Sequence, residues 1–282
     1  MVKYTIGDAL LGGIALLKEN KIESAGEDAR VIMAHCLGHD KLYITVHRDD
    51  ILGNEEKKIF FSAVQRRAKN EPVAYITHSR EFMSLDFYVD ENVLVPRPDT
   101  EILVEKIIEL CSGGKTRIFD VCTGSGAIAV SLAKYMPECS VCGLDISAPA
   151  VKIARKNAAA NGVDDRCEFK VADALCLPEF SADCIVSNPP YVSTAEMTAL
   201  MPDVGDFEPH IALYGGNDGL SFYRSISQSA PSRLSDGGIL AFEVGFTQSE
   251  DVSDIMTCAG FKNIQTVHDL SGIERVVFGF KM

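Results

Sequence analysis

Short apolar runs of strand length alternate with longer segments of helical periodicity from residue 117 to residue 281. Alternation of this kind is typical of an α/β fold, in which helices cover both faces of a mostly parallel sheet. Ligands of such sheets bind outside the carboxyl ends of the strands. Strands are predicted at 117–121, 139–144, 167–171, 183–187, 238–244, 263–268 and 274–281, and helices from about 126 and at 148–160, 218–230 and 248–258. The last two strands, joined by a short turn, are expected to form an antiparallel edge.

Residues 1–75 show helical patterns and are predicted to form a small helical domain. Ser24 and Glu27 have the spacing of a capping box, which would start one helix. A second helix is predicted to begin at Asn54 and to end in the basic run 66–69, where positive charge complements the helix dipole.

Residues 76–96 are predicted to form a β-hairpin that links two domains. Apolar residues alternate over 85–89 and again over 93–95, on either side of a polar turn at 90–92. The stretch is not rich in glycine or serine, so the link is expected to be stiff. The α/β domain is then expected over residues 97–282.

Charge is distributed unevenly along the 282 residues, which carry 27 basic and 40 acidic side chains for a net charge of −13. The first 80 residues hold 12 basic and 11 acidic side chains, so the remainder holds 15 and 29. An acidic surface repels a phosphate backbone at long range, and direct nucleic-acid binding is therefore not expected.

The nine cysteines, in a chain with no signal peptide pattern, indicate reduced thiols and a cytoplasmic location. Cys139 and Cys142 form a lone Cys-x-x-Cys pair, but residues three apart in a strand face opposite sides, so no metal site is expected. No uncharged apolar run approaches the ~18 residues of a membrane span, and no membrane partner is expected.

The predicted strand 183–187 ends at Asn188-Pro189-Pro190-Tyr191, because an interior strand cannot contain two prolines. Asn188 offers a side-chain carbonyl, and Pro189 offers a backbone carbonyl in a stiff part of the chain. Two rigid acceptors suit a planar –NH2 group, against which the ring of Tyr191 can lie. The alternative is a plain strand-ending turn without chemistry.

A glycine-containing loop, Cys122-Thr123-Gly124-Ser125-Gly126, joins the first predicted strand of the α/β region to a helix. Glycine lets the backbone approach a ligand closely, and the helix start presents free N–H groups. Asp145 ends the next strand, 19 residues after Gly126, where it is placed to bind a ribose diol. These features fit a dinucleotide and S-adenosylmethionine equally well.

Asp120, directly before this loop, separates the two cofactors. Its carboxylate would repel a pyrophosphate and attract the ammonium of a methionine moiety, which favours S-adenosylmethionine over NAD. Asp173 ends the third strand, where it is placed to accept a hydrogen bond from an adenine amino group. The predicted cofactor-binding residues are Asp120, Cys122, Thr123, Gly124, Ser125, Gly126, Asp145, Asp173, Ala174 and Asn188.

Together, the Asn-Pro-Pro-Tyr turn and the glycine loop resemble those of the class I methyltransferases that modify –NH2 nitrogens. Within this class the chain is similar to the HemK/PrmC family over essentially its whole length. Two positions differ, since the family often has glycine at Cys122 and near His78-Ser79. The stretches that carry the narrower match are Pro96-Arg97-Pro98-Asp99-Thr100-Glu101, Glu208-Pro209, Ala212-Leu213, Gly215-Gly216-x-Asp218-Gly219-Leu220-x-x-Tyr223-Arg224, and Glu243-Val244-Gly245 with Gln248.

The resemblance implies a Rossmann-like methyltransferase domain with a mostly parallel seven-stranded sheet and S-adenosylmethionine as the cofactor. It implies methylation of the side-chain amide of the glutamine in the Gly-Gly-Gln motif of peptide chain release factors. The helical domain would recognise the factor, and the protein would be a monomer. The implied catalytic residues are Asn188, Pro189 and Tyr191, and the implied substrate-binding residues are Asn188, Pro189, Pro190, Tyr191 and Arg97.

Three other functions stay open at this point. A nucleic-acid amino methyltransferase would use the same turn, although the chain shows no basic stripe. A nicotinamide-dependent oxidoreductase would use the glycine loop but would leave Asp120 and the Asn-Pro-Pro-Tyr turn without a function. A catalytically inactive module would bind the cofactor without transferring a methyl group.

Overall fold

The computed structural model describes residues 4–111 and 113–282. The chain divides into two compact units, of which the first is Met1–His78 with Met201–Phe207 and the second is Ser79–Leu200 with Glu208–Met282. Among the described residues, no helix combines the length and the apolar character that crossing a membrane requires.

The first unit is helical, as the sequence predicts. Its apolar helix faces enclose a core that includes the fully buried side chains of Leu17, Ile32, Met33, Phe60 and Val64. Its helices are α1 (Ile6–Glu19), α2 (Ala25–Leu37), α3 (Lys41–Val46), α4 (Asn54–Arg67) and α5 (Val73–Thr77).

Local capping explains where α1 begins, but not where α2 begins. At α1, the Thr5 side chain accepts a hydrogen bond from the backbone N–H of Asp8, whose carboxylate accepts from the N–H of Thr5. The capping box predicted at Ser24 is wrong, because the Ser24 hydroxyl donates to Asp28 at 2.7 Å and makes no cap bond. Asp28 also accepts from Arg67 at 2.6 Å, so a tertiary ion pair replaces the local cap.

The hairpin lies earlier in the chain than predicted, at β1 (Arg80–Phe82) and β2 (Leu85–Phe87). Its turn consists of Met83 and Ser84, which have φ values of 50° and 54°, as a type I′ turn requires. The strand predicted over 93–95 is wrong, since those residues belong to no strand of either sheet. Val93 and Val95 are buried outside any strand, so their alternation reflects burial and not strand pairing.

The second unit contains the predicted seven-stranded sheet, in the order β5-β4-β3-β6-β7-β9-β8. Strands β3 to β7 are parallel, and β9 is antiparallel to both β7 and β8, which confirms the predicted antiparallel edge. The strands are β3 (Arg117–Val121), β4 (Ser140–Asp145), β5 (Cys167–Val171), β6 (Ala182–Ser187), β7 (Leu234–Glu243), β8 (Lys262–His268) and β9 (Glu274–Phe280).

Helices cover both faces of this sheet and give it one hydrophobic core on each side. The positions of α7, α8, α11 and α12 agree with the predicted ones to within three residues where bounds were predicted, since long amphipathic segments are defined by their own periodicity. The helices after α5 are α6 (Asp99–Leu110), α7 (Ala127–Tyr135), α8 (Ala148–Ala160), α9 (Thr194–Met197), α10 (Pro202–Gly205, within the first unit), α11 (Ser221–Ser229) and α12 (Ser249–Cys258), with 3₁₀ turns at His210–Ala212 and Ala230–Ser232.

The strand order determines where in the sheet the candidate site lies. The chain runs outward from β3 in one direction to β4 and β5, and in the other to β6 and β7. At this switch point the carboxyl ends of neighbouring strands leave a crevice. Four of these ends carry polar residues: Asp145 and Glu243 end their strands, Asn188 directly follows β6, and Asp120 is the last residue but one of β3.

Candidate active site

A cavity of about 820 Å³, open to solvent, lies beyond the carboxyl ends of β3, β4, β5 and β6. The predicted site residues that line it are Cys122, Gly124, Asp145, Asp173, Ala174, Asn188 and Pro190.

The glycine loop presents one open glycine and one packed glycine. A Cβ on Gly124, which has a φ of 54°, would meet no atom within 4 Å, so the backbone there faces free space. A Cβ on Gly126 would lie 3.0 Å from the Cβ of Ala154, so this glycine is required for packing of the loop against α8. Gly124 can therefore lie against a ligand, whereas Gly126 shapes the loop.

Cys122 occupies a backbone conformation that glycine adopts more easily. Its φ is 64°, in the left-handed region, where an L-residue with a Cβ is strained. Glycine at this position, as in the family pattern that the sequence resembles, would remove this strain. In the second stretch that departs from the family pattern, near His78-Ser79, His78 also has a positive φ, of 52°.

Asp145 binds the loop and faces the cavity. Its Oδ2 accepts a hydrogen bond of 2.8 Å from the backbone N–H of Gly124, and its Oδ1 accepts one of 2.9 Å from that of Ser147. Burial raises the pKa of this carboxyl, while the hydrogen bonds from Ser147 and Gly124 lower it. A carboxylate has about four acceptor sites, so two are left for the hydroxyls of a ribose.

Asp173 lines the same cavity after the end of β5. Its Oδ1 accepts a hydrogen bond of 2.8 Å from the backbone N–H of Leu175. This bond fixes the carboxylate at the cavity wall, where a further acceptor position suits a ligand's amino group.

Asp120 is completely buried and does not line the cavity. Its Oδ2 accepts hydrogen bonds from the hydroxyl of Thr123 at 2.5 Å and from the backbone N–H of Ala129 at 3.2 Å. Burial raises its pKa to about 7. The carboxyl thus joins the glycine loop to the first turns of α7, and its direct attraction of a ligand ammonium stays a prediction.

The Asn-Pro-Pro-Tyr turn packs against a second segment, residues 213–215. Val192 donates to the carbonyl of Leu213 and accepts from the N–H of Gly215, each at 2.9 Å. A Cβ on Gly215 would lie 2.6 Å from the carbonyl oxygen of Pro190, so only glycine lets the two segments approach this closely. The turn is therefore built against residues that lie well beyond it in the sequence.

Within the turn, Asn188 lines the cavity while Pro189 and Tyr191 do not. The Asn188 Nδ2 donates to the hydroxyl of Thr100 at 3.2 Å. Burial raises the pKa of the Tyr191 phenol to about 12, with a further raising contribution from the nearby carboxylate of Glu243. Tyr191 is therefore neutral near pH 7 and offers its ring and hydroxyl without a charge.

Arg97 forms an ion pair with Glu208, with 2.8 Å between Nη2 and Oε1. The Glu208 side chain is only 1% exposed, whereas that of Arg97 is 39% exposed. Arg97 does not line the cavity, and its predicted contact with substrate stays a prediction.

The predicted residues thus fall into two groups. Those named above as lining the cavity can contact a ligand directly. The others do not line the cavity: Asp120, Thr123, Ser125, Gly126 and Pro189 are buried, and Tyr191 and Arg97 are partly exposed. The substrate contacts expected of Pro189, Tyr191 and Arg97 stay predictions.

The cavity also has walls that the sequence analysis missed. Some of them lie within two positions of predicted residues, namely Ile146 and Ser147 after Asp145 and Leu175 after Ala174. Including the next one or two residues of each loop in the prediction would have identified them. Residues 92–94 and Phe222 come from distant segments, and nothing in their local pattern indicates a site. The missed lining residues are Asn92, Val93, Leu94, Ile146, Ser147, Ala150, Ala172, Leu175, Ile211, Ala212 and Phe222.

S-adenosylmethionine fits the residues that are present. Gly124 leaves open space at the loop, and Asp145 and Asp173 place acceptors along the wall for hydroxyl and amino groups. Apolar side chains such as Ile146 and Leu175 supply flat surface for a purine ring. Among the described residues, no cluster of three or more histidine, cysteine or acidic side chains is arranged to hold a metal ion.

Solved structures of methyltransferases share the fold of this chain. A methyltransferase from Pyrococcus furiosus superposes with a TM-score of 0.53 at 16% identity, covering 82% of this chain and 99% of that one. The 16S rRNA N2 G1207 methyltransferase of T. thermophilus, in complex with AdoMet and guanosine, gives 0.53 at 19% identity, covering 72% and 50%. At these identities the likeness is evidence of the fold alone.

Sequence comparison is more specific. The family model of the PrmC N-terminal domain matches residues 8–77, and that of the methyltransferase small domain matches residues 98–202. The release factor glutamine methyltransferase of Clostridium acetobutylicum is 39% identical over 280 residues, which are 98% of each chain. That of Geobacter sulfurreducens is 40% identical over 277 residues, covering 98% of this chain and 96% of the relative. The predicted family is confirmed, and the chain belongs to the family of the release factor glutamine methyltransferases.

Proposed function

We propose that this protein transfers a methyl group from S-adenosylmethionine to the side-chain amide nitrogen of the glutamine in the Gly-Gly-Gln motif of peptide chain release factors. The relatives named for this activity match nearly the whole chain at 39% and 40% identity. The structural observation that carries the proposal is the position of Asn188, which lines the same cavity as Asp145 and Asp173.

An amide nitrogen is a poor nucleophile because its lone pair is delocalised into the carbonyl. The protein must therefore position this nitrogen and favour its pyramidal form. The Asn188 Oδ1 and the carbonyl oxygen of Pro189 would each accept one of the two amide protons, which directs the lone pair toward the cofactor side of the cavity. Holding two reactants at attack distance supplies about 7–11 kcal/mol of the barrier.

When bound, S-adenosylmethionine supplies a methyl group on a positively charged sulfur, which leaves as a neutral thioether. The two acceptors of the turn stabilise the positive charge that develops on the substrate nitrogen. One N–H proton then leaves to water, since an N-protonated amide is a strong acid. No separate general base is needed, and Tyr191 provides a ring against which the amide plane lies.

The roles of the two parts of the chain follow from this proposal. Residues 97–282 form the methyltransferase domain, residues 76–96 contain the hairpin linker, and residues 1–75 form the helical domain that recognises the release factor. The enzyme would act as a monomer in the cytoplasm, where its substrate is located. The excess of acidic side chains after residue 80 disfavours nucleic acid as the substrate.

The test is methyl transfer from labelled S-adenosylmethionine in three parallel reactions. One contains an intact release factor, the second a factor whose Gly-Gly-Gln glutamine is changed to alanine, and the third DNA. Label in the intact factor alone supports the proposal down to the modified residue. Label in DNA, or equal label in both factors, overturns it.

A further inference from the structure

Glu243 lies beside Asn188 at the carboxyl edge of the sheet. Strands β6 and β7 are parallel neighbours in which Ser187 pairs with Phe242. The next residues along the chain, Asn188 and Glu243, are therefore in register with each other. Side chains that are in register on neighbouring strands point to the same face of the sheet. Glu243 is only 4% exposed and does not line the cavity, whereas Asn188 does.

The Asn188 side chain meets acceptors on its buried side. Its Nδ2 donates to the hydroxyl of Thr100, a residue that is itself 5% exposed. Burial raises the pKa of the Glu243 carboxyl, and Thr100 and Asn188, which lie close enough to act on it, lower this pKa. The Glu243 Oε2 has no hydrogen-bond partner among the residues that the structure describes.

An ionised carboxylate only accepts hydrogen bonds, and it therefore selects one orientation of a neighbouring amide. With a carboxylate and a hydroxyl behind it, Asn188 is held with its NH2 group on the buried side. Its Oδ1 is then left for the cavity. The opposite orientation would place an NH2 group against the substrate NH2 group, where two donors meet and no hydrogen bond forms.

We propose that Glu243 is a positioning residue whose carboxylate, together with Thr100, holds the Asn188 amide so that Oδ1 faces the substrate nitrogen. This inference rests on the proposed function of the cavity. The inference adds Glu243 to the proposed mechanism. Glu243 does not contact the substrate, but it determines whether the oxygen or the nitrogen of the Asn188 amide does. The negative charge behind the amide also polarises it, which makes Oδ1 a stronger acceptor.

The inference makes transfer depend on the ionisation of Glu243. Burial raises the pKa of this carboxyl to about 7; Thr100 and Asn188 lower it, as does Arg275, and Asp99 raises it. Arg275 and Asp99 form an ion pair at 3.0 Å, so their opposing charges largely cancel at Glu243. The two neighbouring phenols, Tyr191 and Tyr223, have raised pKa values and are neutral at this pH. Below about pH 7 the protonated carboxyl can donate to Oδ1, and the fixed orientation is lost.

The first test compares Glu243→Gln with the wild type, because glutamine keeps the shape but can donate as well as accept. The expected result is a kcat about 10–100-fold lower, with the KM for the release factor and the binding of S-adenosylhomocysteine little changed. The wild-type rate should fall as the pH drops through about 7, and Glu243→Gln should lack this inflection. Glu274→Gln is the matched control, since Glu274 is a strand glutamate that Ser249 and Thr266 also hydrogen-bond.

A second buried carboxyl, Asp120, has a pKa of about 7 and needs its own control. If Glu243 causes the fall in transfer rate below about pH 7, the Asp120→Asn enzyme should show the same fall, whatever its absolute rate. Thr100→Val and Thr100→Ser form a further pair if Glu243→Gln does not fold. Valine should lower kcat because it lacks the hydroxyl, and serine should retain activity because it keeps it.

One measurement needs no turnover. In ¹H–¹⁵N spectra, the Asn188 side-chain amide signals, identified by their loss in Asn188→Ala, should shift with a midpoint near pH 7 in the wild type and should not titrate in Glu243→Gln. A wild type with no transfer but with this titration would remove the proposed function and leave the contact intact. A Glu243→Gln enzyme with a normal kcat and an unchanged pH profile, or an Asn188 amide that does not titrate in the wild type, overturns the inference.

Discussion

The side-chain amide of Gln248 donates a hydrogen bond of 3.0 Å to the backbone carbonyl of Tyr191. The same side chain accepts a bond of 3.1 Å from the N–H of Gly245 through its Oε1. Gln248 thus ties the residues that follow β7 to the Asn-Pro-Pro-Tyr turn. The position of the turn therefore depends on a residue 57 positions from Tyr191.

Replacing Gln248 by leucine should loosen this turn. The change removes both hydrogen bonds and leaves a partly buried carbonyl without its donor, which costs about 1–3 kcal/mol of unfolding free energy. Methyl transfer should fall as well, because the acceptor of Pro189 moves with the turn. Denaturant unfolding and turnover measure the two effects. The control is Gln228→Leu, an exposed glutamine on α11, and equal losses in both variants would contradict the assigned role.

Replacing Asn188 by alanine should abolish most of the methyl transfer while cofactor binding survives. The loss of one preset hydrogen-bonding group at a reacting centre typically lowers kcat by roughly 10²–10³-fold. The rest of the cavity wall, including Asp145, is unchanged. Turnover and titration with S-adenosylhomocysteine give the two readings. An Asn188→Ala enzyme with near-normal turnover would falsify the proposed mechanism.

Replacing Asp145 by asparagine should weaken cofactor binding. The amide nitrogen of the introduced side chain cannot accept the hydrogen bond that Gly124 or Ser147 now donates, and the charge that strengthens bonds from hydroxyls is lost. The dissociation constant of S-adenosylhomocysteine should rise by about 10–100-fold, as measured by calorimetry. The control Asp164→Asn makes the same charge change at an exposed loop position, and affinity should stay at the wild-type value there. Unchanged affinity in Asp145→Asn would remove this residue from the site.

Replacing Asp120 by asparagine should change how stability depends on pH. Because burial raises the pKa of this carboxyl from its ordinary value of 3.8 to about 7, its stabilising contribution is fully present below about pH 4 and is lost as the pH rises through 7. Asparagine does not titrate and still accepts from Thr123 and Ala129. The unfolding free energy of the variant relative to the wild type should therefore rise between about pH 4 and 7.5 by ~2–4 kcal/mol and then level off.

The buried carboxyl of Glu243 is present in both proteins and cancels in this comparison. A difference that does not vary with pH would mean that Asp120 titrates alike in the folded and unfolded states. Denaturant unfolding of both proteins at four or five pH values measures this difference in unfolding free energy.

Replacing Cys122 by glycine should relieve backbone strain. Cysteine and alanine both carry a Cβ at a φ of 64°, whereas glycine adopts this conformation freely. Alanine and glycine both remove the thiol, so the pair Cys122→Ala and Cys122→Gly isolates the backbone effect. The glycine variant should be the more stable by about 1 kcal/mol in denaturant unfolding. Equal stability of the two would show that the strain is negligible.

Much of the fold could be predicted from local pattern. The predicted bounds of β3, α8 and β5 agree with the structure at both ends, because periodicity and flanking turn residues lie in the segments themselves. The position of the hairpin was predicted wrongly, because strand pairing depends on a partner segment and not on the pattern of one segment alone. Val93 and Val95 are buried but belong to no strand, and single-sequence alternation cannot separate burial from strand pairing.

The candidate site was predictable where ligand-facing residues follow a strand directly. Asp145, Asp173 and Asn188 were found because each stands at a strand end next to a loop. Asp120 has the same kind of position, yet its carboxylate points into the protein and bonds to Thr123 and α7. Which way a side chain at a strand end points depends on the elements packed against it.

By itself, the sequence determined the class of fold, the cofactor loop, the Asn-Pro-Pro-Tyr turn and the family, because each depends on residues close together in the chain or on likeness along its whole length. Only the tertiary structure decided that Gly215 and Gln248 support this turn, that Glu243 lies in register with Asn188 on the neighbouring strand, and that residues 92–94 complete the cavity wall. These contacts join segments that are far apart in the chain. They follow from strand order and close packing, which no local pattern records.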